Sequence, residues 1–139
     1  MGNCLKVGIL GAGNIAGSMA EALNELQKEG KACAYAVASR SQEKALEFAR
    51  KWNITRAYSS YEELASDPEV DLIYIATPHS LHYEQAKLCM EHGKNVLVEK
   101  AFTANARQAE ELFAMAEEKK VFITELSLIT HLRAHETRS

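Results

Sequence analysis

The chain has 139 residues, which is one domain's worth. Hydrophobic residues make up 47% and charged residues 25%, an ordinary globular balance, and a net charge of -3 speaks against a nucleic-acid binder working through a basic surface. Apolar runs such as Ala32 to Ala38 are only a handful of residues long, so no transmembrane helix and no membrane partner are expected.

Met1-Gly2-Asn3-Cys4 superficially resembles a myristoylation signal. That pattern needs Ser or Thr at position 6, where this chain has Lys6, and an apolar strand already begins at Leu5. A lipid anchor is not expected. Nor is a secretory signal, because the apolar stretch is short and lacks a basic start. Cys4, Cys33 and Cys89 have no metal-ligand spacing and read as buried free thiols of a reducing, cytoplasmic compartment.

Strands and helices alternate almost throughout. Leu5 to Leu10 is a short apolar strand stopped by Gly11. Ile15, Met19, Leu23 and Leu26 recur at helical spacing, which predicts a helix ending near Gly30. Ala32 to Ala38 is the second strand, and Ser41 can cap a helix carrying Ala45, Leu46, Phe48, Ala49 and Trp52. A weak third strand lies near Thr55 to Tyr58. Ser60 and Glu63 form a capping box for a short helix closed by Asp67-Pro68. Asp71 to Ala76 is the fourth strand, ended by Thr77-Pro78. Ser80 is expected to cap a helix running to His92, with Gly93 as its stop. Asn95 to Val98 is the fifth strand, Thr103 to Lys120 a long amphipathic helix, and Val121 to Thr124 the sixth strand. The tail from Leu126 to Ser139 has no clear period and could be disordered, a short helix or an edge strand.

Six such strands imply an α/β fold: a doubly wound, mostly parallel sheet with helices on both faces. Strands that are continuously apolar, rather than alternating, agree with a sheet buried on both sides.

Gly11-Ala12-Gly13-Asn14-Ile15-Ala16 follows the first strand and opens the first helix, a G-x-G-x-x-A turn in the right context. Gly11 allows the tight turn, Gly13 lets a diphosphate approach the backbone, and Ala16 lets the helix pack on the sheet. The helix start at Asn14 and Ile15 offers N–H groups and positive dipole to phosphates. These four positions, Gly11, Gly13, Asn14 and Ile15, are the expected diphosphate site of a Rossmann dinucleotide-binding fold. The alternative is a plain strand–helix turn using small residues for packing.

The second strand ends in Ser39-Arg40-Ser41, with no acid to accept from a ribose 2′-OH. Arg40 and two hydroxyls would welcome a 2′-phosphate, so NADP is preferred. NAD stays open if Arg40 merely stacks on the adenine. Ligands of open α/β sheets bind at the carboxyl ends of strands, where Thr77-Pro78-His79-Ser80-Leu81-His82 and Glu99-Lys100 also fall. Near a nicotinamide, Lys100 could polarise a hydroxyl or hold the alkoxide formed on hydride loss. It could equally be a surface Lys paired with Glu99.

Taken together, VGILGAGNIA, VASRS, D-x-x-Y-I-A-T-P-H-S-L-H and K-N-V-L-V-E-K resemble the N-terminal half of the Gfo/Idh/MocA family, over about residues 5 to 125. The resemblance implies that His79 and His82 lie beside the cofactor, next to the Thr77 and Pro78 already placed at that strand end. It implies that Glu99 and Lys100 meet its nicotinamide end, with Lys100 the catalytic lysine. Family members oxidise a secondary alcohol of sugars, polyols, sugar derivatives or dihydrodiols, or run the reverse reduction. This chain departs in reading Glu99-Lys100-Ala101 where the family usually has E-K-P. The expected organisation is a dinucleotide-binding domain over 1–125 and a short tail over 126–139, the family's C-terminal substrate domain being absent.

Tyr83 and Lys87 spell the Tyr-x-x-x-Lys pair of short-chain dehydrogenases, but in the wrong helix, and i, i+4 pairs arise by chance. His79 with His82, and His131 with His135, lack a matching Cys or acid at metal spacing, so no metal is expected. The reading is therefore an NAD(P)-dependent oxidoreductase with a small sugar or polyol substrate, self-associating through apolar surface near the sixth strand. A non-enzymatic dinucleotide-binding module or truncated remnant is the alternative, and an oligomerising α/β domain with an empty cleft a third.

Overall fold

Short apolar segments, too short for helices of their own, assemble into one six-stranded sheet in this computed structural model, which describes residues 4–99 and 106–126. The strands are β1 (Leu5–Leu10), β2 (Ala32–Ala38), β3 (Arg56–Tyr58), β4 (Leu72–Ile75), β5 (Asn95–Glu99) and β6 (Ile123–Leu126). Their order is β3-β2-β1-β4-β5-β6, and every neighbouring pair is parallel. The sheet expected to be mostly parallel is thus wholly so among the described residues. The crossovers are α1 (Asn14–Lys28), α2 (Gln42–Trp52), α3 (Tyr61–Ala65), α4 (His82–Glu91) and α5 (Ala106–Lys119).

Both faces of the sheet are covered. On one, Val7, Ile9, Leu72 and Tyr74 pack against Ala16, Met19 and Leu23 of α1 and Phe48 of α2. On the other, Leu10, Ile73, Ile75, Val96 and Val98 pack against Leu64, Met90 and Leu112 of the remaining helices. The small side chains of β2 let helices approach closely from both sides. No helix among the described residues is long and apolar enough to cross a membrane.

Several boundaries differ from the sequence expectation. Ser80 does not cap α4: His79–Leu81 forms a 3-10 turn, with the Leu81 N–H on the Pro78 carbonyl, and Leu81 precedes the helix without a side-chain cap. The fourth strand loses Asp71 and Ala76 at its ends. The sixth strand begins at Ile123, two residues late, because the Val121 N–H is taken by the Ala116 carbonyl at the close of α5. Ser41 and Ser60 do cap their helices, accepting from the Lys44 and Glu63 N–H groups. The expected start of the long helix at Thr103, and the tail beyond Leu126, lie outside the described residues.

Only Cys89 is the fully buried thiol that was expected. Cys4 and Cys33 are half-buried, since the face of β2 carrying Cys33 and Tyr35 is only partly covered. Burial, then the neighbouring Cys4, pushes the Cys33 thiol up to about 11, and burial pushes Cys89 up to about 12.

Because the sheet is parallel, Gly11, Ser39, Thr77 and Glu99 all emerge at one rim. The chain order reverses between β1 and β4, and a crevice opens at such a reversal.

Candidate functional site

The turn after β1 is held by backbone. The Gly11 N–H donates to the Ala38 carbonyl at 2.8 Å. Gly11 has φ +108°, and a Cβ there would stand 3.1 Å from the Ala76 carbonyl oxygen. The fold itself therefore requires this glycine. Gly13 differs: its φ is -94°, and a Cβ would meet nothing within 4 Å. Nothing in the packing of the described residues needs Gly13 bare. The open space above it fits the close approach of a diphosphate.

Gly13 precedes α1 without a side-chain cap, and the first turn of α1 holds no acid. Its N–H groups and positive dipole face the rim uncontested. Ala16 is fully buried against the sheet, as the small residue of the motif should be. Asn14 is exposed in a cleft of about 500 Å³ between α1 and α2, whereas Ile15 packs into the core on the α1 side.

A second cleft, of about 460 Å³, joins the turn to the next strand end. Gly11, Gly13, Ser39, Arg40, Thr77 and Pro78 line it together, so half of the sequence-predicted cofactor residues converge. Ser39 is nearly buried, and its hydroxyl accepts from the Ser41 N–H at 3.3 Å. The Ser41 hydroxyl accepts from the Lys44 N–H, so one of the two expected hydroxyls is committed to capping α2. Arg40 is exposed at the mouth.

Lys44 and Tyr61 also line this cleft, and sequence reasoning missed both. Lys44 had a local signal, because it lies in the first turn of a helix opening from the Arg40 strand end. Tyr61 had none; it arrives from α3. With Arg40 and Lys44 present and no acid among the lining residues, the cleft suits an anion.

The β4 end is braced from α4. The Thr77 hydroxyl donates to Gln85 Oε1, and His82 Nε2 donates to the Thr77 carbonyl at 2.7 Å. The carbonyl carries no proton, so Nε2 does. His82 is buried and lines neither cleft; what it touches is the turn that carries Thr77. His79 opens the 3-10 turn.

Across the sheet, Glu99 closes β5 half-buried, and the Tyr74 hydroxyl donates to its Oε1 at 2.5 Å. Burial, then the adjoining carboxylate, pushes the Tyr74 phenol far above the usual tyrosine range. Lys100 lies outside the described residues.

Tyr83 and Lys87 sit away from both clefts. The Lys87 ammonium lies 5.3 Å from the Tyr83 ring centroid, and the Tyr83 hydroxyl donates to Glu111 on α5. Among the described residues no group of three His, Cys, Asp or Glu could hold a metal ion.

Comparison with known proteins fits this geometry. The chain is 42% identical over 120 residues to trans-1,2-dihydrobenzene-1,2-diol dehydrogenase of Xenopus tropicalis, covering 86% of this chain and 36% of that protein. It is 39% identical over 130 residues to the D-xylose 1-dehydrogenase (NADP(+)) of Hypocrea jecorina, covering 87% and 33%. The crystal structure of an NAD binding oxidoreductase from Klebsiella pneumoniae superposes with a TM-score of 0.84 at 30% identity, covering 88% of this chain and 34% of that one. The chain thus spans only about a third of the length of these relatives. Residues 5–126 match the oxidoreductase family with the NAD-binding Rossmann fold, and the chain belongs to that Gfo/Idh/MocA family.

Proposed function

We propose that this chain is the dinucleotide-binding part, residues 1–125, of an oxidoreductase acting on a secondary alcohol of a sugar, polyol or dihydrodiol, with NADP preferred over NAD. The observation that carries this reading is the acid-free cleft at the strand-order reversal. There an uncapped helix start and the bare Gly13 adjoin Arg40 and Lys44.

Gly11 sets the turn, and the N–H groups at the start of α1 bind the diphosphate. Arg40 and Lys44 hold a 2′-phosphate, and the Ser39 hydroxyl can donate to it. Thr77 and Pro78, with His79 following them, form the wall on the β4 side. His82 acts behind that wall by holding the Thr77 carbonyl. A bound nicotinamide supplies the hydride chemistry. Glu99 marks the reacting end of the rim, and Lys100 stabilises the alkoxide as hydride leaves. The names of the relatives, a dihydrodiol dehydrogenase and an NADP-dependent xylose dehydrogenase, support both the substrate class and the cofactor. The free thiols suit a cytoplasmic setting, and the half-exposed Phe113 and Phe122 beside β6 favour self-association of the chain.

Fluorescence titration of the chain with NADPH, and separately with NADH, tests this. Micromolar binding of NADPH, weaker for NADH, is expected. Binding of neither would overturn the oxidoreductase reading of this chain. In a form of the enzyme that turns over, Lys100→Ala should abolish turnover while leaving NADPH affinity nearly intact. A collapse of affinity would instead make Lys100 a binding residue.

A further inference from the structure

Tyr74 is the largest side chain in the protein's described interior, with no exposed surface. Its ring lies in the core between the sheet and α1. Phe would fill that space equally well, so packing does not account for the hydroxyl. A phenol buried this deeply must find a partner for its one polar group. Its partner is neither a backbone carbonyl nor a core side chain but the Glu99 carboxylate at the rim.

The register explains how they meet. Tyr74 of β4 stands opposite Leu97 of β5. Residues two apart along a strand share a face, so Glu99 lies on the Tyr74 face, one step nearer the carboxyl end. The phenol leans along the sheet and its hydroxyl reaches the carboxylate from the core side. Burial raises the phenol well above the usual tyrosine range, so the hydroxyl stays protonated and donates to Glu99.

We propose that Tyr74 is a positioning residue. Through Glu99 it fixes the carboxylate in the orientation that receives the donor groups of the nicotinamide half, namely the ribose hydroxyls and the carboxamide amine. This rests on the dinucleotide reading above and adds to it a residue that never touches the ligand. A half-buried Glu at a strand end has several rotamers open to it. One fixed hydrogen bond from the core selects among them before any ligand arrives, which lowers the ordering cost of binding.

The test is Tyr74→Phe in the 139-residue chain, with two probes. NADPH carries the nicotinamide half; 2′,5′-ADP carries only the adenosine half with its 2′-phosphate. Tyr74→Phe should weaken NADPH by about two- to tenfold, the net worth of one hydrogen bond, and leave 2′,5′-ADP unchanged. In a Glu99→Ala background the same substitution should have no further effect on NADPH. A merely structural role would weaken both probes together, or act independently of Glu99, and either result overturns the proposal. So does unchanged NADPH affinity in a variant that binds 2′,5′-ADP normally. If the unmodified chain binds neither probe, the dinucleotide reading itself falls and this role falls with it.

Discussion

Gly11 and Gly13 are two residues apart and lack a side chain for different reasons. At Gly11 the backbone is left-handed and the Ala76 carbonyl oxygen occupies the space a Cβ would need. Gly11→Ala should therefore lower stability by about 1–3 kcal/mol, seen directly in thermal melts. At Gly13 both the conformation and the surroundings tolerate a methyl group. Gly13→Ala should melt within about 1 kcal/mol of the parent, yet lose NADPH affinity by about tenfold or more, because the methyl occupies the ligand's approach. Equal NADPH binding by parent and Gly13→Ala would mean that no diphosphate passes there. Arg40→Ala should weaken NADPH by about tenfold or more and leave NADH unchanged, since a charge-assisted contact to the 2′-phosphate is what it removes. Equal losses for both dinucleotides would assign Arg40 to the adenine instead. The sequence legibly encoded the glycines and the Ser39–Arg40 strand end because each has a fixed local spacing. Lys44, Tyr61 and the Tyr74–Glu99 bond were harder to read, since those depend on which strands and helices become neighbours.

At the scale of elements, the α3–β4 connection is tied down by groups that no local pattern announces. Lys94 is buried, and its ammonium donates to the carbonyls of Asp67 at 2.6 Å and Val70 at 2.8 Å. Lys94→Met keeps the stem but leaves both carbonyls without that donor. It should cost about 2 kcal/mol and lower Tm by several degrees, without changing NADPH affinity. A shift confined to NADPH binding would contradict this. Asp67 also accepts from the Tyr58 hydroxyl at 2.7 Å, joining the edge strand β3 to the same loop. Burial, then Asp67, pushes the Tyr58 phenol from 10.0 up to about 12. The folded state thus favours the neutral phenol, so this stabilisation is complete below pH 10 and is lost as pH rises towards 12. Tyr74 is shifted in the same direction, so the readout is a difference between variants. Chemical denaturation of the parent and Tyr58→Phe should converge in stability between pH 10 and 12; parallel pH profiles would refute the assignment.

The order and kind of every described strand and α-helix followed from hydrophobic period and cap residues, but the edges and the 3-10 turn at His79–Leu81 did not. α4 begins at His82 rather than after Ser80 because the Pro78 carbonyl first closes a tighter turn. β6 begins late because Val121 still serves the end of α5. Both outcomes hang on single backbone hydrogen bonds, which apolar spacing does not record.

At the scale of the whole molecule, the sheet has two unlike edges. β3 is three residues long and begins with the exposed Arg56, which discourages pairing. β6 is flanked by Phe113 of α5 at 51% exposure and Phe122 at 50%. Apolar surface of this kind promotes association. The chain should elute above its monomer mass in size-exclusion chromatography with light scattering, and Phe122→Lys should return it towards monomer. A monomeric parent at working concentration would remove β6 as the contact.

The reversal of strand order between β1 and β4 has a consequence for descent. Groups proposed to read the adenosine half arise from β1, β2 and the elements after them; those proposed at the reacting end arise from β4 and β5. The Gly11–Ala76 approach is where the two sets meet. Substitutions at Arg40 and at Tyr74 share no partner, so their effects on binding should add. On the proposed reading, a lineage built on this scaffold can then exchange one dinucleotide for the other without disturbing the end proposed to react, and can change that end without relearning its cofactor.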